Sequence, residues 1–431
     1  MKRIIYQILP RLWGNGKFSS IDDASLRHFR KFGTDIVWYT GIPRHASGKD
    51  FVKGNPGSPY AISDWYDTNP YLAEDQARRL DEFKELACRT HEHGMKVCTD
   101  FIPNHVACDY KGALPHFPWC DYDWTDTLKI DWSRKETVDE MEKVLLFWIS
   151  LGVDAFRCDM VELVPAEALG ELISRIKAAY PETEFIAEVY ETANYRRYLD
   201  VAHFDYLYDK SGSYDILRGI MCSGRPAWDL TSNWQRIGAD QGRMVNFLEN
   251  HDEQRLASEW FCGNASKPMA ALAFSALFND AAWMIYFGQE VGEDAAEGHQ
   301  GRTSIFEWSS PSGIGRLQAH LKKGGRMRKD DAGILTRYLE IAGYAQQPVF
   351  RSGNNWDLCY CQSEAGGFDS HGHFAFIRYS DTGAYLVLCN FTNRACNVKL
   401  TVPIELEGLL STDYVELSVA PLDFAVYSFS E

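Results

Sequence analysis

Gly94-Met95-Lys96-Val97-Cys98-Thr99-Asp100-Phe101-Ile102-Pro103-Asn104-His105 contains one full cycle of the plan on which most of this chain is built. A glycine closes the helical pattern Asp75–His93, a short β-branched and aromatic run follows at Lys96–Phe101, and the run ends in polar, chemistry-bearing side chains. The same cycle recurs outward in both directions. Further strands are predicted at Ile4–Leu9, Ile36–Thr40, Ala155–Asp159, Glu184–Glu188, Phe204–Tyr208, Val245–Leu248 and Trp283–Phe287. Helical patterns lie between them, among them Ser20–Phe32, Lys135–Leu151, Pro165–Ala179, Tyr214–Met221 and Lys267–Leu277. Gly33, Gly94 and Gly152 stand where a helix must stop and turn into the next strand. Eight strands alternating with helices imply a parallel sheet, and eight is the number that closes into a (β/α)8 TIM barrel.

The pattern changes near residue 345. Phe374–Tyr379, Ala384–Cys389, Val398–Pro403, Tyr414–Ala420 and Phe424–Phe429 are short runs separated by turn residues such as Asp381-Thr382-Gly383, which predicts an antiparallel β-sandwich. The expected division is a catalytic barrel over residues 1–344, with a short excursion after strand three at about 106–131, and an all-β region over 345–431. That second region carries no cluster of acids, histidines or cysteines, so its expected role is structural, with sugar contact as the alternative.

Composition narrows the function. The chain has 431 residues with 60 acids against 44 bases, a formal charge of −16. Polyanions such as nucleic acid and anionic membrane need clustered cations, so neither is an expected partner. The eleven cysteines are odd in number and scattered, which argues for reduced thiols. The apolar stretch after Met1-Lys2-Arg3 is broken by Gln7, Pro10 and Arg11, too soon for a signal peptide or a membrane span, so a cytoplasmic location is expected. Aromatic residues make up 14% of the chain, a supply of flat faces that suits both core packing and sugar stacking.

Barrel enzymes place their chemistry at the C-terminal ends of the strands. Strand three ends in Asp100 and His105, strand four in Arg157-Cys158-Asp159, strand five in Glu188, and strand seven runs into His251-Asp252. In an extended strand Arg157 and Asp159 share a face, so the guanidinium is expected to favour the Asp159 anion and lower its pKa, as a nucleophile requires. Cys158 points the other way, into packing. Glu188 follows the apolar run Phe185-Ile186-Ala187, which is expected to raise its pKa and make it a general acid. Asp252 is the third carboxylate, suited to holding sugar hydroxyls and stabilising positive charge. His105 and His251 lack the spacing of a metal site and are read as hydroxyl-binding groups.

Together these segments resemble the α-amylase superfamily of retaining glycoside hydrolases. Ile5–Arg11 resembles the family's opening strand, Asp100–His105, Gly152–Asp159, Glu184–Glu188 and Phe247–Asp252 its four ordered signatures, and Gly288-Gln289-Glu290 the segment after strand eight. The resemblance implies Asp159 as nucleophile, Glu188 as acid/base and Asp252 as transition-state stabiliser. It implies Tyr60, His105, Arg157 and His251 as substrate-binding residues and Asp100 as support for the rim. Asn104 and Asp131 fall where amylases place calcium ligands. A Lys-His pair found after the nucleophile in endo-acting members is replaced here by Glu162-Leu163, which counts against calcium and against endo-amylase specificity. The loop Gly298–Ser304 is either a cover over glucan subsites or plain surface. The expectation is hydrolysis of α-1,4-glucosidic bonds in malto-oligosaccharides or starch-like glucans, with no cofactor required for the chemistry. A transglycosylase (glucanotransferase) is the alternative, and an inactive glucan-binding or partner subunit, which usually lacks one of the three carboxylates, is the third reading.

Overall fold

The computed structural model describes residues 1–406, 410 and 412–429; the remaining positions of the expected C-terminal region, 407–409, 411, 430 and 431, lie outside the described residues. Eight parallel strands close into a barrel: Ile4–Ile8, Ile36–Tyr39, Lys96–Phe101, Ala155–Cys158, Glu184–Ala187, Tyr206–Tyr208, Met244–Asn246 and Ala282–Tyr286. Closure joins the first strand to the last, with Ile5 beside Met284 and Ile36. Six of the eight strands stop one or two residues short of the sequence expectation, because the rim residues turn away to present side chains, while Lys96–Phe101 and Tyr206–Tyr208 end where expected.

The helices form where amphipathic periodicity and caps coincide. Asp22 accepts a hydrogen bond from the Ser25 N–H at 3.0 Å and starts the helix Asp23–Lys31, satisfying an amide that would otherwise be unpaired. Gly33, Gly94 and Gly152 all adopt positive φ, the left-handed conformation in which a glycine ends a helix without steric penalty. The helical layer continues through Lys135–Ser150, Ala166–Ala179, Tyr195–Asp200, Asp215–Ser223, Trp228–Ile237, Met269–Leu277, Ser312–Lys323 and Lys329–Ala345.

Beyond the short helix Pro348–Ser352, the antiparallel sheets appear as expected, with one further edge strand, Asn354–Asp357. Four strands pair in the order Asn354–Asp357, His373–Ser380, Gly383–Asn390, Phe424–Ser428, and Cys396–Thr401 pairs with Tyr414–Val419. The alternation of strand side chains gives the larger sheet two buried faces. Ala375, Ile377, Leu386 and Leu388 pack with Val398, Leu400, Val415 and Val419 of the smaller sheet. Phe374, Phe376, Val387, Cys389 and Phe424 join the core of the barrel. Among the described residues no helix is long and apolar enough to cross a membrane.

Two small ribbons shape the mouth of the barrel. Pro43–His45 pairs with Ile62–Thr68 and carries Tyr60 at its turn, and His105–Ala107 pairs with Thr127–Lys129 at the ends of the excursion after strand three.

Candidate active site

The C-terminal rim converges on one guanidinium. Arg157 is fully buried, its Nη1 donates to Asp159 Oδ1 at 2.5 Å, and its Nη2 forms an ion pair with Glu188 Oε1 at 2.8 Å. Its Cζ lies 5.5 Å from the ring centroids of Trp38, Tyr60 and Tyr208, so an aromatic box holds the charge in place. Glu188 accepts hydrogen bonds from the Tyr190 hydroxyl at 2.7 Å and the Met160 N–H at 2.9 Å. Met160 follows Asp159 with φ at 43°, a strained conformation for a residue with a side chain, and that turn brings its amide to Glu188.

Asp252 stands at the opening. The His251 Nε2 lies 2.9 Å from Asp252 Oδ2 and 2.6 Å from the Tyr60 hydroxyl. Gln7 Nε2 lies 2.9 Å from His251 Nδ1 and donates to Thr40 Oγ1 at 3.0 Å, an orientation that leaves the imidazole proton on Nε2, facing Asp252. Tyr60 stacks on the His251 ring, with centroids 5.3 Å apart. Asp100 lies beneath, accepting from Trp38 Nε1 at 3.2 Å, the Tyr60 hydroxyl at 3.3 Å and the Gly41 N–H at 3.0 Å. His105 sits against Trp124 on the excursion side, and burial holds its pKa down to about 4, so the ring is neutral.

One electrostatic expectation is corrected. Arg157 does favour the Asp159 anion, but burial is the larger effect, and with the Glu188 charge nearby it pushes the Asp159 carboxyl well above its ordinary range. Glu188 does not sit in an apolar pocket: the Phe185 and Ile186 side chains pack into the core, while its carboxyl rests on Arg157, Tyr190 and Met160. For Asp252, burial pushes the pKa up, but the His251 ring together with the Arg157 and Arg302 charges outweighs it, and the net is a carboxyl held below its usual value.

Other residues of the site escaped the sequence reading. Gln7, Trp38, Tyr190 and Tyr208 position the machinery from strand interiors and from beyond a signature, where local pattern reads them as core or loop. The loop Gly298–Ser304 is tied to the segment after strand seven: the Arg255 N–H donates to Gly301 O at 2.8 Å, and Arg255 Nε to Thr303 Oγ1 at 2.8 Å. It brings the Arg302 charge to bear on Asp252. Arg255 is itself anchored by Glu249 at 2.8 Å, both side chains fully buried. Glu162, which stands where a Lys-His pair was looked for, accepts from the Tyr190 N–H at 2.8 Å and Asn194 Nδ2 at 2.8 Å, fastening the loop behind Glu188.

Asn104 and Asp131 do not fit a calcium site. Calcium takes six to eight oxygen ligands. Asn104 Oδ1 is a buried acceptor without a partner, but its Nδ2 donates to Asp121 at 2.9 Å, and the Lys129 ammonium binds both Asp121 oxygens at 2.9 and 3.0 Å. Asp131 instead accepts from the Ser133 N–H and hydroxyl. A cation from the chain itself thus engages Asp121, the carboxylate bound to Asn104, and among the described residues no group of three or more acids, histidines or cysteines converges on a metal-sized point.

Fold and site together define a (β/α)8 barrel with a C-terminal β-sandwich whose mouth gathers three carboxylates around one buried arginine. No family model matches the chain. It is 21% identical over 329 residues to alpha-amylase 2 of Schwanniomyces occidentalis, a match covering 69% of this chain and 62% of that protein. It is 27% identical over 216 residues to the alpha-1,4-glucan:maltose-1-phosphate maltosyltransferase of Rhodospirillum rubrum, covering 43% of this chain and 31% of that one. The chain thus spans less than two thirds of the length of these relatives. An alpha-amylase structure from Lactobacillus plantarum superposes with a TM-score of 0.73 at 23% identity, over 99% of both chains, which establishes the shared fold. In sequence and in fold the chain is similar to proteins of the α-amylase superfamily.

Proposed function

We propose that the chain is a retaining glycoside hydrolase acting on α-1,4-glucosidic bonds of malto-oligosaccharides or starch-like glucans. The observation that carries this reading is the Asp159–Arg157–Glu188 bridge. A single guanidinium touching both carboxyls favours the retaining spacing of about 5 Å over the inverting spacing of about 6.5–9.5 Å. Asp159 attacks the anomeric carbon and forms a glycosyl ester while Glu188 gives its proton to the departing glycosidic oxygen. Glu188 then takes a proton from water, and the resulting hydroxide displaces Asp159 with the sugar's original configuration restored. Asp252, kept ionised beside His251, faces the positive charge that develops at the ring. Tyr60, His251 and His105 offer a stacking face and hydroxyl contacts. Every role belongs to a side chain, so the chemistry calls for no cofactor. Eleven free thiols support a reducing, cytoplasmic setting.

The test is turnover of maltoheptaose with the anomeric configuration of the first product followed by proton NMR. The expected result is an α-anomer, with Asp159→Asn and Glu188→Gln each lowering kcat by on the order of 10⁴-fold. Near wild-type activity in either variant overturns the reading. Because the Asp159 nucleophile must be ionised and burial raises its pKa, the acid limb of kcat/KM is expected above the ordinary carboxylate range, activity being lost as pH falls through that limb. Transfer to a sugar acceptor is the second reading, favoured by the maltosyltransferase match. Lengthened products at high maltoheptaose concentration would establish it.

A further inference from the structure

The opposite end of the barrel carries a second cleft, of about 580 Å³, between the helix Trp228–Ile237 and the first strands of the C-terminal sheet. Asp280, just before the last barrel strand, places it at the N-terminal rim, the far side from Asp159. Its walls are fixed. The Thr231 hydroxyl donates to Asp357 Oδ2 at 2.5 Å across the junction, and Arg378 pairs with Asp280.

The lining is aromatic and polar at once. Trp356 donates through Nε1 to the Tyr360 hydroxyl at 3.3 Å, which ties together two aromatic residues of the lining, and Tyr360 is 64% exposed. Trp234 and Tyr379 add further ring surface. Asn355 Nδ2 and Trp234 Nε1 are shielded donors without a protein acceptor, an arrangement native proteins rarely leave uncompensated. Among the described lining residues there is no lysine or arginine, and the neighbouring Arg378 is engaged by Asp280, so the lining offers no free cation to recruit an anion. Flat apolar faces suit the C–H faces of a pyranose, and amide, indole and carboxylate groups suit its hydroxyls.

We infer that this cleft is a non-catalytic binding site for a neutral oligosaccharide, specifically a segment of α-glucan held while another segment occupies the barrel mouth. The choice of glucan among neutral sugars rests on the proposed function. Such a site raises the effective concentration of a long chain at the mouth and has no effect on a short one.

Two measurements on wild type, Trp356→Ala and Tyr360→Ala test it: electrophoretic retardation in native gels containing soluble starch, and kcat/KM on maltotriose. The expected result is retardation weakened by about tenfold in apparent affinity in both variants, with maltotriose turnover unchanged. Tyr360 is exposed, so its variant keeps the test decisive if Trp356→Ala fails to fold. A Tyr360→Ala chain retarded as strongly as wild type, or a wild type that is not retarded, overturns the proposal. Absence of maltotriose turnover in a wild type whose retardation depends on Tyr360 counts against the function proposed for the mouth and leaves the cleft standing.

Discussion

Both ends of the barrel bury arginines against carboxylates, in opposite proportions. At the base, cations match or outnumber acids: Arg351 pairs with Asp35, and Arg3 and Lys96 both hold Glu184, at 2.7 and 2.6 Å. Arg378, fully buried, pairs with Asp280 and donates to the carbonyls of Phe278, Val349, Phe350 and Gly353. At the mouth one arginine touches Asp159 and Glu188, with Asp252 alongside. Where charge is compensated, the pair acts as a staple between segments distant in sequence; where acid is in excess, at least one carboxyl is held away from its ordinary titration, which is the condition for reactivity.

That contrast predicts separable effects. Arg378→Met at the base strands several carbonyls and Asp280, and is expected to lower stability by about 3–5 kcal/mol while kcat of the folded fraction is unchanged. Thermal melts and turnover below the transition check it; a variant that keeps its stability but loses turnover would erase the distinction. At the mouth, Tyr190→Phe removes one donor to Glu188 and is expected to lower kcat by about tenfold and displace the pH–rate profile, with a change in melting temperature too small to matter. A loss confined to KM would instead mark Tyr190 as a sugar contact.

The smallest effect has the most telling sign. Folded Asp159 keeps its proton to higher pH than the unfolded chain does, so its contribution to stability declines as pH rises from the ordinary carboxylate value through its raised one. Asp159→Asn is therefore expected to melt about 2 °C higher than wild type at pH 7, and with little difference at pH 4. A variant less stable than wild type at pH 7 would mean that Arg157 outweighs burial after all.

The barrel was legible because its signals are local. Alternation of apolar runs with 3.6-residue periodicity locates strands and helices, and a glycine after several of the helices marks the joint, as Gly94 does before Lys96–Phe101, which has the same bounds in sequence and structure. The placement of Arg157 beside Asp159 follows from strand alternation alone. The ion pair from Arg157 to Glu188 crosses between neighbouring strands, and the support from Gln7 comes from the far end of the chain, so neither has a local signature. The titration of Asp159 was misjudged for the same reason: its guanidinium is adjacent in sequence, but the burial that outweighs it is assembled from the whole mouth. The edge strand Asn354–Asp357 was missed because asparagines and a short length give it no apolar alternation.

The Lys129 ammonium on Asp121 is a counterion attached to the chain. Its local concentration is set by an eight-residue tether and not by the medium, so the excursion after strand three carries its own charge neutralisation through any dilution, chelation or change of ionic supply.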